Sequence, residues 1–91
     1  MVTIKKESNK ITLSTTLDPD CNDMYDVVMY VKYYNINNGW FIRKNGKPIG
    51  CYEMLWDDRY ILHSVLKREF SKEFANPKSN FSRHFSVLLM N

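Results

Sequence analysis

Apolar and polar residues alternate along much of the N-terminal half of the chain, a pattern typical of strands with one buried face. Residues 2–17 predict a first hairpin that turns at Ser8-Asn9. In this register Ile4 lies opposite Leu13, so the apolar side chains of both strands share one face of the sheet. The Asp-rich segment 18–23, which contains a proline, indicates a loop after this hairpin.

Residues 24–35 fit a strand better than a helix, because β-branched and aromatic side chains dominate. The alternating set that favours the strand is Tyr25, Val27, Met29, Val31 and Tyr33. The helical alternative begins at Asn22 or Asp23 as a cap. Its apolar stripe is Met24, Val27, Val28 and Val31. A second turn is predicted at residues 37–39.

The dipeptide Asn45-Gly46 is the strongest turn signal in the chain. Short apolar runs flank it, and a two-residue type I′ turn requires a positive φ at both central positions. The resulting hairpin places Ile42 opposite Ile49 and, further from the turn, Trp40 opposite Cys51.

The segment 57–74 has the three-to-four-residue apolar spacing of a helix. Asp57 and Asp58 stand where N-terminal caps and favourable dipole charges belong. The predicted apolar face consists of Ile61, Leu62, Val65, Leu66, Phe70 and Phe74. Trp56, just before the helix, is expected to pack between helix and sheet, and Asn76-Pro77 ends the helical pattern.

Residues 81–90 predict a closing strand, whose alternating positions are Phe81, Arg83, Phe85, Val87 and Leu89. An amphipathic helix is the alternative, with an apolar stripe of Phe81, Phe85, Leu88 and Leu89. The elements together predict an α+β fold. It has an antiparallel sheet of five or six short strands, made of a terminal hairpin and a meander, and one main helix near residues 57–74.

Chain length and composition narrow the picture further. The 91 residues predict a single compact domain over residues 1–91. One alanine, Ala75, argues against a helical bundle. No stretch approaches the roughly 20 apolar residues of a membrane span, and no signal-peptide core is visible, so an intracellular location is expected. The abundance of Asn, Lys, Ile, Tyr and Phe is typical of AT-rich genomes, such as those of phages or mobile elements.

Metal and cofactor binding are not expected. The thiols and imidazoles are Cys21, Cys51, His63 and His84, and no pair has the short spacing of structural zinc sites. Asp18, Asp20 and Asn22 begin like a calcium loop, but the glycine and the final glutamate of that loop are missing. Both cysteines are expected to be free thiols.

Catalysis is not expected either, because no recognisable motif arranges a nucleophile and a base for catalysis. A small ribonuclease is the least favoured alternative. It would use Arg59, His63 and Lys67, which share one face of the predicted helix at four-residue spacing.

Aromatic and cationic side chains interleave on the sheet face opposite the apolar set, and further cations lie on the helix. The predicted partner-binding residues are Tyr30, Lys32, Tyr34, Phe41, Arg43, Lys44, Lys47, Tyr52, Arg59 and Lys67. Such a surface suits a protein partner, and it suits single-stranded nucleic acid equally well. The alternative is that the terminal hairpin or the helix covers this face and the tyrosines are core residues.

The net charge of +3 is compatible with an acidic partner without requiring one. We therefore expect a non-catalytic protein-binding module, an inhibitor or modulator of a larger protein or nucleoprotein, acting on host machinery in the host cytoplasm if phage-encoded. A nucleic-acid-binding domain is the alternative. An unpaired strand edge beside Pro48 or at the C-terminus would also permit a homodimer by strand addition.

Overall fold

A computed structural model describes residues 2–20, 22–30 and 39–90 of the chain. Its sheet is an antiparallel meander in which each strand pairs with the next along the chain. The five strands are β1 (Val2–Lys6), β2 (Lys10–Thr15), β3 (Tyr25–Tyr30), β4 (Gly39–Lys44) and β5 (Lys47–Ile49). Helices follow the sheet, so the predicted α+β fold with an antiparallel sheet of five strands is confirmed.

The first hairpin has the predicted register, with Ile4 opposite Leu13. Its turn is closed by a 2.8 Å hydrogen bond from the Glu7 amide to the Lys10 carbonyl. The side chains of the same two residues also meet, since the Lys10 ammonium lies 3.5 Å from the Glu7 carboxylate. The hydrophobic pattern and the turn chemistry therefore select one register here.

Strand β3 confirms the extended prediction for the first part of residues 24–35. The remainder of that segment and the turn predicted at 37–39, apart from Gly39, lie outside the described residues. Gly39 itself begins β4 opposite Tyr30.

The central hairpin turns at the predicted dipeptide, where Asn45 has φ 52° and Gly46 has φ 82°. Ile42 faces Ile49 as predicted. The amide side chain of Asn45 also accepts a 2.8 Å hydrogen bond from the backbone N–H of Met24. This turn therefore fixes the loop before β3 as well as its own hairpin.

The prediction that Trp40 lies opposite Cys51 is wrong. Strand β5 ends at Ile49, and the chain turns at Cys51 into a short 3₁₀ helix, Cys51–Glu53. Pro48 has no N–H to donate, which suits the edge position that β5 occupies in the sheet.

One face of the sheet is apolar across all five strands. The ladder aligns one aliphatic residue from each strand in a single row: Ile4, Leu13, Val27, Ile42 and Ile49. Leu13, Val27 and Ile42 in the centre of this row are at most 1% exposed. The alternation read from the sequence therefore identifies the core face of the sheet.

The main helix is shorter than the predicted 57–74. Helix α1 (Trp56–Glu69) ends where Phe70 leaves helical geometry, and α2 (Ser71–Ala75) follows it. Phe70 is buried, and the centroid of its ring lies 4.8 Å from that of Phe81. A tertiary contact therefore accompanies the break in the helix. The predicted end at Asn76-Pro77 is confirmed, because Asn76 is extended.

The start of α1 departs from the prediction in one respect. Leu55 occupies the cap position, and no side chain caps the helix. Asp57 and Asp58 lie inside the first turn instead. Their negative charges still interact favourably with the positive end of the helix dipole.

The closing strand predicted for residues 81–90 is wrong, and the helical alternative is the observed structure. Helix α3 (Asn80–Ser86) is followed by a 3₁₀ turn, Val87–Leu89. The side chain of Ser79 accepts a 3.1 Å hydrogen bond from the backbone N–H of Ser82, which satisfies an otherwise unpaired donor in the first turn. Phe85 and Leu88 are buried on the inner side.

The chain divides into two compact units, Met1–Gly50 and Cys51–Asn91. They are called the sheet unit and the helical unit below. The single domain expected from chain length stays a prediction. No helix in the described part of the chain has both the length and the apolar character needed to cross a bilayer.

Candidate functional site

The sheet face opposite the apolar row brings together three of the predicted partner-binding residues. Tyr30, Phe41 and Arg43 lie on this face, on neighbouring strands β3 and β4. The rings of Tyr30 and Phe41 lie 5.7 Å apart. Lys32 and Tyr34, predicted to extend this face, lie outside the described residues.

The cations of the sheet unit are largely paired with its own carboxylates. Arg43 lies 3.4 Å from Asp26 on the adjacent strand. Lys44 lies 3.4 Å from Asp23, and its pKa is raised above the ordinary value by Tyr25 first and by Asp23 next. A phosphate group would have to displace these carboxylates before it could use either cation.

Lys47 differs from Lys44, which it faces across the β4–β5 ladder. It is exposed and forms no ion pair within residues 2–20, 22–30 and 39–90. Both lysines flank the tip of the central hairpin, as predicted. Neither lies on the face of Tyr30 and Phe41, because the ladder alternates sides from Arg43 to Lys44.

The remaining predicted residues, Tyr52, Arg59 and Lys67, belong to the helical unit. Tyr52 does not lie on a strand beside Phe41 and Arg43, because it belongs to the 3₁₀ helix that follows the last strand. Arg59 and Lys67 lie on α1.

Arg59 joins three segments of the helical unit. Its guanidinium carbon lies 5.0 Å from the Trp56 ring and 5.9 Å from the Tyr52 ring, within cation–π range. Its Nη1 donates a 2.9 Å hydrogen bond to the carbonyl of Met90 near the C-terminus. The guanidinium thus holds two aromatic rings and a chain end in place.

Large apolar side chains are exposed in the same unit, and some of them contact this arginine. With Arg59 they form what we call the aromatic patch: Tyr52, Leu55, Trp56, Tyr60, Ile61 and Met90. Their exposed fractions range from 37% for Ile61 to 74% for Leu55. Trp56, Tyr60 and Ile61, together with Asp57, line a shallow open depression. The expectation that Trp56 is a packed core residue is wrong, because it is 45% exposed.

Helix geometry explains why these side chains are exposed. Leu62 and Leu66, four residues apart, are completely buried and define the inner side of α1. Trp56 and Tyr60, also four residues apart, lie on a different side of the same helix. Sequence reasoning missed Leu55, Trp56, Tyr60, Ile61 and Met90. One signal in the sequence was available: Trp56 and Tyr60 are four residues apart and lie on a different side of the helix from Leu62 and Leu66.

Two carboxylates lie beside the aromatic patch: Asp57 lines its depression, and Glu53 is next to Tyr52 in the chain. Asp58 also lies in the first turn of α1, but it precedes the buried Leu62 by four residues and therefore lies nearer the inner side of the helix. None of the three makes a side-chain hydrogen bond or ion pair with any residue that the structure describes. The patch is therefore apolar at its centre and acidic at its border.

The proposed ribonuclease residues have other roles in the helical unit. The Arg59 guanidinium is held by Met90 and the aromatic rings. The His63 ring lies edge-on to Phe74, with centroids 5.5 Å apart. Burial lowers the pKa of His63 below its ordinary value, and the charge of Lys67 lowers it further. Among the described residues, no group of three or more His, Cys, Asp or Glu side chains could hold a metal ion.

The comparisons with known proteins identify no relative. No protein-family model matches the chain, and no curated protein or solved structure matches it either. The geometry of the chain itself is therefore the basis for a functional proposal.

Proposed function

We propose that the chain is a non-catalytic protein-binding module that docks a larger protein through the aromatic patch. The observation that carries the proposal is the exposure of six large apolar side chains in the helical unit, of which Trp56 and Tyr52 lie against Arg59. Trp, Tyr and Arg are the residue types that dominate binding energy at protein interfaces. Contiguous exposed apolar surface of this kind marks interaction sites in folded proteins.

The energetics support a partner-bound state. Full burial of a large apolar side chain stabilises a structure by about 1.5–3 kcal/mol. In the free chain the patch residues forgo part of this gain, the least for Ile61 and the most for Leu55, whereas Leu62 and Leu66 obtain it in full. Arg59 also holds Trp56 and Tyr52 in position before binding, which lowers the entropy lost on association.

The finer form of the proposal is that the module inhibits or modulates a larger protein or nucleoprotein inside a cell. The small size of the chain supports it, as does the lack of a recognisable catalytic motif in the sequence. The AT-rich amino-acid usage supports a phage or mobile-element origin, with host machinery in the host cytoplasm as the target.

Site-specific photo-crosslinking tests the proposal. The full chain carries a photo-reactive phenylalanine at Tyr60 and is expressed in its native host cells. The matched control carries the same group at Tyr30, an exposed tyrosine of the sheet unit. We expect one stoichiometric protein adduct from position 60, its loss when Trp56→Ala is added, and none from position 30. No adduct from position 60, or an adduct indifferent to Trp56→Ala, would contradict the proposal.

Single-stranded nucleic acid is the second candidate partner, favoured by the Tyr30–Phe41 ring pair beside Arg43. The pairing of Arg43 with Asp26 weighs against it. A labelled oligonucleotide distinguishes the two candidates, because phosphate contacts make affinity fall steeply with added salt. Binding that is absent or independent of salt removes this candidate.

A further inference from the structure

The chemistry of the partner can be read from the charges around the aromatic patch. Asp57, in the depression, and Glu53, next to Tyr52, supply two negative charges at its border. The single cation among them, Arg59, is already engaged by Trp56 and by the Met90 carbonyl. The patch therefore presents apolar area inside a net negative border.

The basic residues of the same helix are too distant to neutralise this border. Lys67 and Arg68 lie in the last turn of α1. At 1.5 Å per residue, Lys67 is about 15 Å along the helix axis from Asp57. Charges that far apart are largely screened, since the Debye length is about 8 Å at physiological ionic strength.

An anionic partner would bring its charges against unpaired carboxylates. Nucleic acid and anionic lipid surfaces both carry phosphate, and each phosphate near Asp57 or Glu53 would be repelled. A protein segment with apolar anchors and flanking lysines or arginines has the complementary arrangement. Its apolar side chains would fill the depression lined by Trp56, Tyr60 and Ile61.

We infer that the aromatic patch binds a cationic amphipathic segment, a helix-like stretch of the partner with apolar anchors flanked by Lys or Arg. This inference rests on the proposed function and adds the charge of the partner to it. The carboxylates set the choice of partner, and the apolar residues supply most of the affinity.

Two labelled helical peptides of about four turns test the inference. They share one Leu/Trp stripe, and their polar faces carry only Lys in one peptide and only Glu in the other. Fluorescence anisotropy with the full chain at about 150 mM salt gives the dissociation constants. We expect the Lys peptide to bind at least tenfold more tightly, and Trp56→Ala to weaken its binding.

A pair of double variants isolates the border charges. Glu53→Gln/Asp57→Asn removes two carboxylates from the border of the patch, and we expect it to weaken Lys-peptide binding about fivefold. Glu69→Gln/Glu73→Gln removes two carboxylates from later positions in the same unit and should have less than a twofold effect. Circular dichroism checks that both variants keep their helix content.

Three outcomes overturn the inference: equal affinity for the two peptides, no binding of the Lys peptide, or equal effects of the two double variants. None of these outcomes bears on the crosslinking experiment at position 60, which tests the docking function separately. Failure of that crosslink removes the docking function, whereas failure with the peptides removes only the cationic partner.

Discussion

The sheet unit and the helical unit treat their exposed side chains in opposite ways. In the sheet unit, Arg43 and Lys44, two of the predicted partner-binding cations, are paired within the unit with Asp26 and Asp23. In the helical unit, the carboxylates beside the aromatic patch have no partner among the described residues. A surface whose charges are already paired gains little from binding, so the helical unit is the better candidate for an interface.

The distribution of exposed apolar side chains follows the same division. Among the described residues, the large exposed ones of the sheet unit are Met24 and Tyr30. The helical unit carries the six that belong to the aromatic patch. The contrast indicates that α1 contributes to the core of its unit with one side and leaves large apolar residues exposed on a second side.

Matched leucine truncations in the helical unit are expected to show the largest difference. Leu62 is fully buried, so Leu62→Ala should lower the free energy of unfolding by about 2–5 kcal/mol. Leu55 is 74% exposed, so Leu55→Ala should change it by about 0.5 kcal/mol or less. Urea unfolding followed by far-UV circular dichroism measures both.

Leu55→Ala should have the larger effect on binding, although Leu62→Ala has the larger effect on stability. Leu55→Ala removes part of the aromatic patch and should weaken the crosslink from position 60, although the protein remains folded. A destabilisation of similar size in the two variants would show that Leu55 is a core residue and would remove it from the patch.

Matched glycine substitutions in the sheet unit are expected to show a smaller difference. Gly46 has φ 82°, a conformation that an L-residue adopts at a cost, so Gly46→Ala should destabilise the protein by about 1 kcal/mol. At Gly39 an added Cβ meets nothing within 4 Å, and no positive φ is required. Gly39→Ala should therefore be neutral or slightly stabilising, since it reduces the entropy of the unfolded chain.

The midpoints of thermal unfolding of the two glycine variants test whether Gly46→Ala destabilises the protein more than Gly39→Ala. Equal shifts in the midpoint would mean that the Asn45-Gly46 turn is not the type I′ turn that sets this hairpin. Because the turn also holds the backbone of Met24, its loss should loosen the loop before β3 in addition.

The sequence predicts the sheet well because its signals are local. Asn45-Gly46 specifies a turn by itself, and once it is placed, the period of two assigns Ile42 and Ile49 to the same face. The helical unit is predicted less well because tertiary contacts decide it. Neither glycine nor proline marks the helix break at Phe70, which is accompanied by packing against Phe81.

The C-terminal helix and the aromatic patch illustrate two further limits. The spacing of Phe81 and Phe85 fits a strand and a helix alike, and the choice follows the Ser79 cap, a hydrogen bond that spacing does not reveal. Trp56 and Tyr60 are apolar enough to suit a core. Only the complete burial of Leu62 and Leu66 shows which side of α1 faces inward.

The smallest expected effect concerns the Arg43–Asp26 ion pair. This pair represents the sheet unit in the comparison of paired and unpaired charges. A double-mutant cycle with Arg43→Ala and Asp26→Ala should give a coupling free energy of about 0.5 kcal/mol, because both side chains are partly exposed. Added salt should reduce this coupling. The matched cycle in the helical unit, Asp57→Ala with Lys67→Ala, should give a coupling near zero.

A coupling near zero in both cycles would mean that the charges of the sheet face are as available to a partner as those around the patch. The contrast would then rest on the apolar side chains alone, and Arg43 beside the Tyr30–Phe41 rings would regain its place as a phosphate contact. A measurable coupling for Arg43–Asp26 instead implies that a phosphate must first compete with Asp26, so the sheet face would bind nucleic acid weakly even where its aromatic rings are exposed.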